Sequence, residues 1–184
     1  MTKSNSFNAF SKYANNGIAE CIKGNNVKNL TPIIVCIGSD LVLGDSLGPL
    51  VGTLLKEKNR NVYVYGTLNY PITAKEIDYV RYYLRKMHPN SIIIAIDASV
   101  GSSDDVGTIR VLNKGLKPGL GVNKDLEEIG DISIIGVVAG RSHSNYNLFN
   151  LTRLNLVYKM AEVISDGISE YVGNEKFLRS AKIV

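Results

Sequence analysis

Two aspartates, Asp45 and Asp97, carry the chemistry this sequence could do, because each follows an apolar run that ends where a ligand could reach it. Asp45 lies in the loop Gly38-Ser39-Asp40-Leu41-Val42-Leu43-Gly44-Asp45-Ser46-Leu47-Gly48-Pro49, and Asp97 directly follows Ile92-Ile93-Ile94-Ala95-Ile96. Two acids within hydrogen-bond range raise the proton affinity of one of them, which leaves one proton donor and one base. Such a pair can activate water against an amide carbonyl. The same carboxylates could instead hold a divalent cation, but a transition-metal site normally adds histidine. The chain has two: His88, expected at a surface helix end, and His143, within Gly140-Arg141-Ser142-His143-Ser144-Asn145 and able to face the same pocket. No resident metal or other cofactor is therefore expected.

Each aspartate also has a plain structural reading. Asp45 could cap the following helix, and Asp97 could close its strand with an Asx turn. Pro49 bears on the first alternative. A cap at Ser46 or Gly48 puts Pro49 at the third or first helical position, where its missing N–H costs nothing; a cap at Asp45 would lose a hydrogen bond. Asp45 is then left to face the pocket. Other chemistries fit poorly. Between Gly38 and Gly44 stand five residues rather than a phosphate loop's four, and Asp45 falls where its lysine belongs. No GxGxxG follows a predicted strand and no GxSxG elbow is present.

The elements that must position these residues alternate. Ile33–Ile37 reads as a strand buried on both faces, Leu50–Leu55 as a helix with Pro49 in its first turn, and Val62–Tyr65 as a second strand. Residues 72–87 read as a crossover helix, with Ile77, Val80, Leu84 and Met87 on one face, and Ile92–Ile96 as a third strand. Gly107–Leu112 is expected to be a more exposed strand, Ile132–Val138 a buried one, and 147–172 a long amphipathic helix. This order predicts a three-layer αβα sandwich with a mostly parallel sheet. Residues 1–30 are expected to form an N-terminal arm or helix and 31–184 a single domain. Ligands of such sheets bind at the carboxyl ends of strands, which selects Ser39, Asp40, Asp45, Thr67, Asp97, Arg141 and His143. The loop Gly115-Leu116-Lys117-Pro118-Gly119-Leu120-Gly121 is either a plain connection, or a lid or an edge against which a peptide lies.

Composition sets the surroundings. The chain has 184 residues, 45% apolar and 21% charged, enough for one core without staples. Lysine and arginine number 21 against 17 acids, a net charge of +4. The basic residues, such as Arg81, Arg85 and Lys86, are scattered without an arginine run, so nucleic acid is not the expected partner. Cys36 reads as a buried thiol, and no apolar stretch approaches a membrane span, so a reducing, cytoplasmic setting is expected.

The motifs resemble a known family. Ile37-Gly38-Ser39-Asp40, Gly44-Asp45-Ser46-Leu47-Gly48-Pro49-Leu50-Val51-Gly52, Tyr65-Gly66-Thr67-Leu68 and Ala95-Ile96-Asp97-Ala98 resemble the YyaC family of sporulation proteins of endospore-forming bacteria. More distantly, the acid before Leu-Gly-Pro, the Ala-Ile-Asp-Ala strand end and the loop from Lys117 to Val122 are similar to the spore germination protease, and beyond it to hydrogenase maturation endopeptidases. The resemblance implies a hydrogenase-maturation-peptidase fold and a peptidase with Asp45 and Asp97 as catalytic acids. Its implied partner is a protein or peptide substrate, such as a spore protein; self-association stays open. Residues 98–138 contain no histidine, where the hydrogenase enzymes carry one.

Overall fold

The computed structural model describes residues 5–59, 61–118, 127–141 and 152–174. The sheet has six strands in the order β1-β5-β6-β4-β2-β3. These are β1 (Asn5–Asn8), β2 (Thr31–Cys36), β3 (Tyr63–Tyr65), β4 (Ser91–Gly101), β5 (Thr108–Leu112) and β6 (Ile132–Gly140). β6, β4, β2 and β3 run parallel, while β5 and β1 complete one side antiparallel. Among the described residues four α-helices cover it: α1 (Ala14–Asn25), α2 (Leu47–Lys58), α3 (Ile77–Met87) and α4 (Leu154–Asn174).

Strand alternation assigns the layers. Ile34, Cys36, Ile94 and Ile96 turn one way, into a core completed by α1, α2 and α4. Ile33, Val35, Ile37 and Ala95 turn the other way, against Ile77 and Leu84 of α3 and the bridged pair Leu116 and Ile129. The molecule is the expected αβα sandwich with a mostly parallel sheet.

Several boundaries differ from the sequence reading. The expected N-terminal arm or helix contains α1 and also an edge strand: Phe7 of β1 lies opposite Ile109 of β5. Four residues with two asparagines give too short a pattern to read, and the neighbouring strand decides it. The crossover helix begins at Ile77, because Ile72 is drawn into a bridge with Ile37 and Thr73 stops the chain there. The Thr73 N–H and hydroxyl both donate to Glu76 Oε2, at 2.8 and 2.6 Å, fixing a turn that ends at Glu76, the residue before the helix. Of the final helix, 154–172 is found and runs on to Asn174; Thr152 and Arg153 precede it outside the helix, and residues 147–151 lie outside those described. Among the described residues no helix is long and apolar enough to cross a membrane.

Candidate active site

The chain leaves β2 through α2 on one face and returns to the far side of β2 through α3 on the other, reaching β4. The strand order therefore reverses between β2 and β4, and sheets of this kind take their ligands at such a point, outside the carboxyl ends of the strands. Asp45 follows β2 and Asp97 lies in β4, so both acids reach this switch point.

Asp45 sits in a short 3₁₀ turn, Leu43–Ser46, that touches β4. The loop before it is closed at its base, where the Ser39 N–H donates to the Asp45 main-chain oxygen at 3.1 Å. Gly38 permits this closure, with φ at +140° and no room for a side chain: a Cβ there would fall inside 3.0 Å of that same oxygen. The α2 cap is Ser46, which makes Pro49 the third helical residue, and no side chain caps the helix. The Ser46 hydroxyl turns back to donate to the Leu43 oxygen at 2.6 Å. Asp45 is thus not a cap, as the proline argument required.

Asp97 corrects one expectation. It does not sit in a loop after a strand, because β4 runs on to Gly101 with Asp97 paired to Ile135 of β6. Aspartate is poor in strands, so the sequence pattern ended the strand too early; pairing with β6 overrides that preference. The Ile37 N–H donates to the Ile96 oxygen at 2.8 Å, which sets the end of β2 beside Asp97. The Asp97 side chain lies on the α3 side of the sheet, in line with Ile93 and Ala95. Its Oδ1 accepts the Ala98 N–H at 2.8 Å.

The electrostatics follow from this placement. Asp97 keeps a little exposed surface but lies deep among protein atoms, and burial together with the nearby charge of Asp45 drives its carboxyl well above the ordinary range. The Ala98 amide opposes this only in part. Asp45 is half-buried and raised too, by burial, with the Ser39 amide pulling the other way. Among the described residues no lysine or arginine neutralises either acid. Of the two, Asp97 is therefore the acid that holds a proton more firmly, and Asp45 the one that ionises first.

Of the other sequence-selected residues, Ser39 is brought to Asp45 through its amide, while its hydroxyl accepts the Leu41 N–H at 3.2 Å. Asp40 is exposed on the same loop. Thr67 is buried, and its hydroxyl oxygen takes the Tyr70 N–H at 3.3 Å, closing a turn. Lys117 is exposed beside the Leu116–Ile129 bridge, and Arg141 is exposed, its N–H on the Gly101 oxygen at 2.8 Å. Gly119 and His143 lie outside the described residues. His88 is half-buried rather than a free surface group, with Nε2 2.8 Å from the Tyr65 hydroxyl. Burial pushes the Cys36 thiol up, away from nucleophilic use.

Sequence reasoning missed three glycines that set this geometry. A Cβ on Gly48 would strike Ile37 backbone, one on Gly52 the Gly66 oxygen, and one on Gly66 the Cys36 oxygen, all inside 3.0 Å. The start of α2 is pressed directly onto the ends of β2 and β3. The spacing of Gly48 and Gly52, one helical turn apart in an apolar helix, was the available signal.

A family model described as "Protein of unknown function (DUF1256)" matches residues 2–167. The chain belongs to that family. It is 44% identical over 138 residues to the uncharacterized protein YyaC of Bacillus subtilis (strain 168), covering 74% of this chain and 67% of that one. It is similar in structure to the [NiFe] hydrogenase maturation protease HycI from Thermococcus kodakarensis KOD1, with a TM-score of 0.54, 85% of this chain and 99% of that chain covered, and 18% identity. At that identity the likeness is one of fold. The family and the fold expected from the motifs are both found.

Proposed function

We propose that this chain is an endopeptidase of sporulation or germination in which Asp45 and Asp97 share one proton and activate water. One observation carries the reading: at the sheet's switch point burial and the charge of Asp45 raise the proton affinity of a deeply placed carboxyl, Asp97, and among the described residues no cation pairs with it. The protease fold of the structural neighbour supports it. The sporulation setting rests on the motif resemblance, and with it a cytoplasmic spore compartment and a spore-protein substrate.

The roles follow from the two environments. Asp45, the less buried acid, takes a proton from water as the water oxygen adds to the amide carbon, and Asp97 gives its proton to the carbonyl oxygen. Asp45 then passes its proton to the leaving nitrogen, the C–N bond breaks, and the new carboxyl group returns a proton to Asp97. Both acids end as they began.

The test incubates the purified chain with a spore-protein extract. Cleavage that falls about 100-fold or more in both Asp45→Asn and Asp97→Asn, and that survives a chelator, is the expected result. Tight binding without turnover would assign a binding module instead, and loss of cleavage with chelator a metal-dependent peptidase or amidase.

A further inference from the structure

Leu41 is the most exposed large apolar side chain among the described residues, at 89%, and it stands four residues before Asp45. Val42 and Leu43 follow it half-buried, so an apolar run occupies a loop where polar residues are the rule. Single exposed apolar residues mean little. This loop is held in shape, however. The Ser39–Asp45 bond closes its base, the Asp45 N–H donates to the Val42 oxygen at 2.9 Å, and the Leu41 N–H is fixed on Ser39 Oγ.

A second loop is clasped to the first. Thr67 and Tyr70 exchange two main-chain hydrogen bonds, each of 3.1 Å, and hold Tyr70 at 78% exposure. The Gly38 N–H then donates to the Ile72 oxygen at 2.9 Å, joining the ends of both loops beyond β2. Two hydrogen-bonded turns beyond the carboxyl end of β2, the first of them leading into Asp45, thus hold apolar side chains out in water, where exposure stabilises neither. Asp40, exposed next to Leu41, makes the same rim unfavourable for an acidic ligand.

We infer that Leu41 and Tyr70 form the substrate-recognition rim of this site and select an extended peptide segment with an apolar, non-acidic side chain beside the bond that Asp45 and Asp97 attack. The inference rests on the peptidase reading for its reaction, but recognition can be read without it. The apolar side chain leaves water against Leu41 and Tyr70, while the backbone lies across the two acids.

The experiment uses unstructured peptides identical except for one position, occupied by Leu, Phe, Ser or Asp, with the full chain, Leu41→Ser, Tyr70→Ser and the double variant. The wild type is expected to favour Leu and Phe over Ser by about tenfold in kcat/KM, with Asp lowest. The double variant is expected to lose that preference through KM, the Leu and Phe peptides falling about tenfold toward the Ser peptide. A preference that survives in the double variant overturns the inference, as does an equal loss for all four peptides. The same peptides, fluorescently labelled, are titrated against Asp97→Asn with and without the double substitution. If the wild type cleaves nothing, the peptidase reading fails. The rim then stands or falls on whether apolar peptides bind tighter and lose that advantage without Leu41 and Tyr70.

Discussion

The two sides of β2 and β3 are built on opposite principles. On the α2 side, backbone touches backbone: Gly48, Gly52 and Gly66 leave no room for even a methyl group between helix and strands. On the α3 side, side chains fill the space. Tyr79 stacks on Tyr83 at 6.3 Å, Tyr83 meets Tyr65 edge-on at 6.1 Å, Tyr65 bonds His88, and His88 lies 4.8 Å from Tyr63. Ring contacts tolerate small shifts, whereas main-chain contacts do not. The rigid side is the one that carries Asp45, so the acid is aimed by the backbone itself and the flank of rings is free to vary.

The sharpest way to break this contrast is Gly48→Ala. Its Cβ would meet the Ile37 oxygen, nitrogen and carbon, all main-chain atoms that cannot turn aside. Helix α2 must lift, and Asp45 moves with it. A loss on the order of 3 kcal/mol or more in urea unfolding is expected, with activity abolished. A stable, active Gly48→Ala chain would show that the close approach does not set the site.

Asp97→Asn comes next and separates function from stability. The native carboxyl has its pKa raised above the unfolded value of about 3.9, so between those two values the native state binds more protons than the unfolded one. Stability from this group is then full below that window and is lost as pH rises through it. The amide carries no such dependence. Asp97→Asn is expected to melt higher than the wild type at neutral pH, with the gap closing toward pH 4, while cleavage falls about 100-fold. Thermal melts across the pH range check the first claim, and a gap that widens in acid would contradict it. Wild-type activity should trace a bell whose alkaline limb lies above the usual carboxylate range, as Asp97 loses its proton.

On the ring side the expected effects are smaller. Tyr79 is 70% exposed and touches Tyr83 by stacking, so Tyr79→Ala should cost about 1 kcal/mol or less and leave the cleavage rate unchanged. Paired urea unfolding and activity assays would show whether the flank is as separate from the site as its construction implies.

The legibility of the sequence follows the same division. β2 and the apolar part of β4 were readable because strands covered on both faces are written in β-branched residues, and the strand-end rule then pointed to Asp45 and Asp97. Pro49 weighs against Asp45 as the cap, and Ser46 holds that position. What could not be read depends on neighbours. Nothing local says that Asp97 continues a strand, that Asn5–Asn8 joins β5, or that Ile72 leaves a helical pattern to bridge Ile37. The charge of Asp45 on Asp97 is likewise a product of folding, since 52 positions separate the two in sequence.

The smallest effect tests whether close approach, rather than glycine as such, governs the α2 side. Gly24 also lies in a helix, near the end of α1, but a Cβ there would meet nothing within 4 Å and its φ is not positive. Alanine at this position narrows the unfolded ensemble and adds no clash, so Gly24→Ala should stabilise by about 0.5 kcal/mol, a small rise in melting temperature with unchanged activity. The same substitution would then carry opposite signs at two helical glycines of one chain. That reversal is explained only by what each Cβ would touch, because helix propensity favours alanine at both. A destabilised Gly24→Ala would instead make the glycines alike and remove the basis for treating Gly48 as the residue that seats the helix on the strand.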